Sequence, residues 1–196
     1  MNFFISAFFS YVLGSIPFGY IISKLKGIDI TKLGSGNIGA TNVGRYLGKK
    51  YFFIVLFLDA LKGFVPAMIF KTLYGIEHGV VAGLFAVLGH SFSIFMKFKG
   101  GKGVATGLGI SLALIPIETL LGFLVWFLVL YITKIMAIAS IISAISVFAL
   151  VLLLQKSLLI KIVAGILAIL IVIRHRSNIE RIMKGQEPKF YFFERR

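Results

Sequence analysis

The chain has 196 residues, 59% of them apolar and only 14% charged, with 21 Lys+Arg against 7 Asp+Glu and a net charge of +14. Soluble domains average about 45–50% apolar and about 25% charged residues, so an ordinary soluble domain is excluded. The positive excess suits anionic lipid or an anionic substrate, and the apolar runs argue against nucleic acid as the main partner.

A membrane helix needs roughly 20 mostly apolar residues. In chain order the candidates are Phe3–Ser23, Tyr51–Phe70, Gly79–Met96, Val104–Ile115, Ile117–Ile132, Ile135–Leu154 and Leu158–Ile173. The first lacks the positive n-region of a cleavable signal and is expected to be a retained span. The fourth and fifth are short, and a single long helix interrupted by Pro116 and Glu118 is the alternative.

Charge separates the two. Segment Lys24–Lys50 holds six basic residues, Lys97–Lys102 three, and the tail Arg174–Arg196 seven. Lys/Arg-rich loops face the cytoplasm. Seven spans put these three segments and Lys134 on one side, whereas six would put the tail outside. The expected architecture is therefore all-α: a single domain of seven transmembrane helices, with the N-terminus outside, the C-terminus cytoplasmic and a tight hairpin at Pro116–Glu118.

Chemistry is expected on the cytoplasmic pieces, two of which are glycine-rich: GSGNIGATNVGR (Gly34 to Arg45) and KFKGGKGVATGLG (Lys97 to Gly109). Glycine lets backbone N–H groups converge on an anion, and a following helix N-terminus adds partial positive charge. Arg45, Lys97, Lys99 and Lys102 supply full charges, and Ser35, Asn37, Thr41 and Asn42 supply neutral hydrogen-bonding groups. Two such loops suggest two phosphate-type groups, or one ligand with two anionic ends. An ordinary turn is the competing reading for Gly34–Gly39, and helix packing for Gly107 and Gly109.

Gly34-x-Gly36-x-x-Gly39 has the spacing of a dinucleotide fingerprint, and Asp59 follows at the interval of its ribose acid. That motif requires a strand and a βαβ unit, and here a membrane span precedes it. Gly101-Lys102-Gly103 lacks the Ser or Thr and the glycine spacing of a P-loop. Both nucleotide readings are rejected.

Asp59 and Lys62 lie i, i+3 inside the second span, where a structural pair and a proton relay are the two options. His90, in GHSFS, fits packing as well as catalysis. His175 stands among Arg174, Arg176, Asn178, Glu180 and Arg181, and on a continued helix it shares a face with Asn178. A solvated basic anchor is the alternative there and is expected for Arg195 and Arg196. The FYFF run, Phe190–Phe193, reads as an interfacial belt. The histidines form no metal-ligand cluster, and the absence of cysteine excludes disulfides and a thiolate nucleophile, so neither a metal nor a cofactor is expected.

GSGNIGATN with Arg45, GHSFSIFMKFKGGKGVATGLG and RHRSNIERIMKGQE together resemble the bacterial acyl-phosphate:glycerol-3-phosphate acyltransferase family, the PlsY type. The segments occur in the family's order. The resemblance implies a seven-helix enzyme of the bacterial cytoplasmic (inner) membrane whose active site faces the cytoplasm. It would move a fatty acyl group from acyl phosphate to the 1-hydroxyl of glycerol 3-phosphate, in the bilayer and without an obligatory protein partner.

By matched position, the resemblance assigns Ser35, Arg45, His175 and Asn178 to catalysis. It puts Gly34, Gly36, Asn37 and Thr41 in the first motif. It assigns the glycerol-3-phosphate site to Gly100, Gly101 and Gly103, with Lys102 as phosphate contact and Lys97 and His90 in the same motif. Glu187 matches a structural position.

Acyl phosphates are already activated, so direct attack needs positioning, charge neutralisation and removal of one proton. Arg45 and Lys102 are expected to hold phosphates, and Ser35, Asn37 and Asn178 to orient the donor. His175 or a substrate phosphate oxygen takes the proton. A transporter for a phosphorylated solute is the competing class, disfavoured by the sparse outer connections and the lack of paired halves.

Overall fold

The structure, a computed structural model, describes residues 3–190, and every regular element among them is helical. Most of the FYFF run, together with Arg195 and Arg196, lies outside the described residues. The helices fall into two compact units, the first ending at Pro116 and the second beginning at Ile117.

The first unit contains α1 (Phe3–Gly14), α2 (Phe18–Leu25), α3 (Ala40–Leu47), α4 (Lys49–Tyr74), α5 (Ile76–Ser91) and α6 (Val104–Leu114). The second contains α7 (Pro116–Thr133), α8 (Met136–Leu154), α9 (Leu158–Arg174) and α10 (Arg176–Met183). By length and apolarity, Phe3–Leu25, Lys49–Tyr74, Ile76–Met96, Pro116–Thr133 and Met136–Leu154 can each cross a membrane. The bent pair of α9 and α10 is a sixth.

The polarity pattern is that of a protein solvated by lipid. Small polar side chains, Ser6, Ser10, Ser15 and Ser23, are fully buried, while Leu153 is 80% exposed and Phe4 68%. Small residues at helix contacts let backbones approach closely. A Cβ at Gly14 would overlap the Ala86 backbone, and one at Gly89 the Tyr11 carbonyl, so α1 and α5 touch along their backbones.

Three expected elements come out differently. The first span is broken at Ser15–Pro17, because Pro17 has no N–H and disfavours helical geometry before it. Its freed carbonyls are met from within the unit: the Ser93 hydroxyl donates to Ser15 O, and Lys62 Nζ to Ile16 O. The turn near Pro116 falls one residue earlier than expected, at Ile115. Pro116 opens α7, where a missing N–H is harmless. The last span does not continue straight past His175; α9 and α10 meet there at 51°.

α6, with 11 residues, rises only about 16 Å. Its start lies well along α4, since a Cβ at Gly63 would overlap the Thr106 carbonyl. At 1.5 Å per residue, Gly63 is about 20 Å from the first turn of α4. The chain between α5 and α6 therefore dips to that depth and occupies what would have been the first turns of a full helix. Lys71 on α4 closes the other end of α6, its ammonium 2.7 Å from Ala113 O. That places positive charge at a helix C-terminus, where the dipole favours it.

Candidate active site

The first glycine segment is organised by one buried side chain. Asn42, in the first turn of α3 and 2% exposed, donates to Leu33 O (3.0 Å) and Asn37 O (2.9 Å). Its Oδ1 accepts from the Ser35 N–H at 3.3 Å. Asn37 Oδ1 caps the Gly39 N–H at 2.8 Å. Gly34 and Gly36 take φ of 57° and 67°, a left-handed geometry that glycine adopts without strain. Gly39 precedes α3 in extended geometry.

Ser35 stands exposed at the tip, and Thr41 and Arg45 are i, i+4 neighbours on the half-exposed face of α3. Beside the loop, the Thr31 hydroxyl, aided by its N–H and by Lys24 and Lys32, holds the Asp29 carboxyl below its ordinary range against a smaller desolvation effect. An ionised Asp29 receives the Thr31 N–H and starts the short 3-10 turn Ile30–Lys32.

Asn42 was legible only as one polar residue among several. An asparagine one turn into a helix, after a glycine loop, can return to the loop's carbonyls, and that signal was available. We expect Asn42→Ala to leave two loop carbonyls unmet and to lower stability by on the order of 2 kcal/mol. Thermal unfolding in detergent reads this directly, and an unchanged midpoint would mean that the loop is held by other contacts.

The second glycine segment behaves otherwise than expected. The Gly100 and Gly101 N–H groups do not converge on an anion; they donate to Ser91 O (3.1 Å) and His90 O (3.0 Å). Their lack of a side chain serves close approach, since a Cβ at Gly100 would overlap the His90 carbonyl and one at Gly101 the His90 ring. Lys97 and Phe98 sit in left-handed geometry and turn the chain, leaving Lys97 and Lys99 exposed and Lys102 half-buried. Gly103, at φ 84°, is the N-cap residue of α6, so the N–H groups that can face an anion are those of the α6 first turn.

His90 in turn stands against the intramembrane pair. Its Nδ1 is 3.7 Å from Asp59 Oδ1, which makes a 2.8 Å ion pair with Lys62. All three side chains are buried.

The third segment lies in the second unit. His175 sits at the α9–α10 bend, with Nδ1 2.8 Å from Ile171 O. A carbonyl only accepts, so Nδ1 carries the proton in neutral His175, and Nε2 is left as the basic nitrogen. Asn178, in the first turn of α10, takes its N–H to His175 O (2.9 Å) and donates through Nδ2 to Glu187 Oε1 at 2.7 Å. Glu187 also pairs with Arg181 Nε at 2.7 Å. Arg181, which the sequence shows only as one of several charged residues around His175, is the ion-pair partner of Glu187.

Residues 4–185 match the family profile described as glycerol-3-phosphate acyltransferase. A glycerol-3-phosphate acyltransferase of Aquifex aeolicus is 47% identical over 184 residues, covering 93% of this chain and 96% of that one. One from Staphylococcus haemolyticus is 44% identical over 191 residues, covering 92% and 94%. A crystal structure of PlsY (YgiH), an integral membrane glycerol 3-phosphate acyltransferase, in its glycerol 3-phosphate form superposes with a TM-score of 0.94 at 44% identity, covering 97% of this chain and 96% of that one. Its lysophosphatidic acid form gives 0.91 at 44% identity, covering 99% and 98%. Matched along nearly its whole length in both sequence and fold, the chain belongs to the glycerol-3-phosphate acyltransferase family, of the PlsY type.

Proposed function

We propose that this protein transfers a fatty acyl group from an acyl phosphate to the 1-hydroxyl of glycerol 3-phosphate, giving lysophosphatidic acid and phosphate. The observation that carries the reading is the 44% identity at TM-score 0.94 with a PlsY structure in its glycerol 3-phosphate form. We treat residues 1–196 as one acyltransferase domain of the bacterial cytoplasmic membrane, active on the cytoplasmic side.

Seven crossings are retained in this reading, the dipping loop and α6 together forming the fourth. The Phe190 N–H donates to Lys134 O at 2.7 Å, which supports a tail on the same side as the α7–α8 connection. That is the side the positive-inside rule assigns to the cytoplasm.

Each segment takes a share of the chemistry. Arg45, with Ser35, Asn37 and Thr41, receives the donor phosphate; Arg suits bidentate contact with it. Lys102, Gly103 and the α6 N-terminus receive the phosphate of glycerol 3-phosphate, with Gly100, Gly101 and His90 shaping the loop. His175 Nε2 takes the proton of the attacking hydroxyl, and Asn178 orients a reacting oxygen. No cofactor is required, because the mixed anhydride is already activated. An ordered attack of this kind gains from proximity and charge neutralisation rather than from a covalent enzyme intermediate.

The deciding experiment incubates purified protein with labelled glycerol 3-phosphate and palmitoyl phosphate, with palmitoyl-CoA in a parallel reaction. Labelled lysophosphatidic acid is expected with the acyl phosphate only. No product with either donor overturns the activity, and product with palmitoyl-CoA alone reassigns the donor.

A further inference from the structure

We propose that the buried Asp59–Lys62 pair is a positioning device that sets both glycine loops of the first unit. The inference rests on the acyltransferase reading of those loops. Lys62 does more than neutralise Asp59. Its Nζ lies 2.8 Å from Asp59 Oδ1 and 2.7 Å from Ile16 O, inside the break between α1 and α2. It also lies 5.6 Å from the ring centroid of Phe18, the first residue of α2. One ammonium therefore fixes where α2 begins.

α2 leads into the first glycine segment and touches it again. A Cβ at Gly19 would overlap the Ile38 carbonyl, so the backbone of α2 is seated on that loop. Asp59 reaches the second loop. Its Oδ1 is 3.7 Å from His90 Nδ1. His90 then offers its carbonyl to the Gly101 N–H and its ring as the wall against which Gly101 packs. The path runs from the broken span through the 2.7 and 2.8 Å contacts of Lys62 and a 3.7 Å approach of His90 Nδ1 to Asp59, too long for a hydrogen bond, to the Gly101 backbone that packs on the His90 ring.

Stability alone does not account for this arrangement. Replacing a buried ion pair by apolar residues of similar volume is often neutral or stabilising, so a pair kept at membrane depth is better explained by geometry. α4 is the only element that carries both partners, and through them it meets α1–α2 on one side and α5 on the other. A shift of Asp59 or Lys62 thus moves two phosphate loops at once, and a misplacement of about 1 Å can cost about 10²-fold in rate.

The test measures KM for glycerol 3-phosphate, KM for palmitoyl phosphate and the thermal midpoint of Asp59→Asn, Lys62→Met and the double variant. We expect kcat/KM to fall about 10–100-fold, with KM for glycerol 3-phosphate raised, in variants that remain folded. The double variant carries no unpaired charge and is expected to fold best. Lys62→Arg, which keeps a cation, should recover part of the loss. Ser6→Ala, which removes the 2.8 Å contact to His78 elsewhere on α1 and α5, should lower the midpoint without moving either KM.

A folded double variant with wild-type KM and kcat overturns the proposal. Should no variant at Asp59 or Lys62 fold, His90→Gln reads the same link from its other end: a rise in both KM values supports one device setting both loops, and a rise in KM for glycerol 3-phosphate alone, or in neither, overturns it. Wild-type protein that makes no lysophosphatidic acid fails the functional reading itself, whereas active wild type with unaltered variants fails only the positioning role.

Discussion

Replacing His175 with alanine should lower kcat by about 10²–10⁴-fold, the usual contribution of a positioned general base. The expectation rests on the tautomer. Nδ1 is committed to Ile171 O at 2.8 Å, so the neutral ring has its lone pair on Nε2 and cannot readily reverse. Burial adds to this: His175 lies four residues after Ile171 and continues the buried stripe of α9, Ile160, Val163, Ala168 and Ile171, to a 3% exposed position at the 51° bend.

The alanine variant should still fold. The His175 backbone N–H keeps its bonds to Ile171 O and Val172 O, and the Asn178 N–H keeps its bond to His175 O. Loss of rate at a preserved thermal midpoint is thus the expected signature. A variant that retains a tenth or more of kcat would assign the proton to a phosphate oxygen of the substrate instead.

Much of the helical plan was legible because apolar length is an unusually strong signal when lipid is the solvent. α6 and α9 start at Val104 and Leu158, as the hydropathy suggests. Gly14-Ser15-Ile16-Pro17 announces the break in the first span, but a window of 20 residues averages a three-residue interruption away. The hydropathy of Val104–Ile115 gives a short span, and the reason it is short is a tertiary fact: the preceding loop sinks along α4. No local pattern records that depth.

The candidate residues were legible as motifs more than as geometry. Glycine strings suggested N–H groups aimed at anions. In the second loop, those of Gly100 and Gly101 instead close on the carbonyls of Ser91 and His90, two residues whose proximity only the folded chain creates. In the first, Gly34 and Gly36 provide the left-handed turns while the hub is Asn42, whose sequence neighbours gave it no distinction. Composition locates a polar loop, and contacts at a separation of five to eleven residues decide which member holds it.

Replacing Glu187 with alanine should both destabilise the second unit and slow the reaction, and the two effects can be separated. Gly185, at φ 67°, turns the chain back after α10, and the Gln186 N–H closes on Arg181 O at 2.7 Å. This delivers the Glu187 carboxylate, 2% exposed, between Asn178 Nδ2 and Arg181 Nε, each at 2.7 Å. Removing one partner of a buried charge pair costs about 3–5 kcal/mol. Arg181 is 30% exposed and can recover some hydration, so a loss on the order of 2–3 kcal/mol is expected here.

The kinetic effect comes through Asn178. With Nδ2 tied to Glu187, the amide is fixed in one orientation, and its oxygen is directed away from the carboxylate. Without that tie both orientations become accessible, and kcat per folded enzyme should fall about tenfold or more, as for other groups that hold catalytic side chains in place. Glu187→Gln keeps one acceptor but opposes an N–H₂ group to either Asn178 Nδ2 or Arg181 Nε, so it should lie between alanine and wild type in both measures. Thermal unfolding and kcat normalised to the folded fraction distinguish the roles. A lowered midpoint with full kcat would leave Glu187 as a brace for α10 alone, and Asn178 would then owe its orientation to another neighbour.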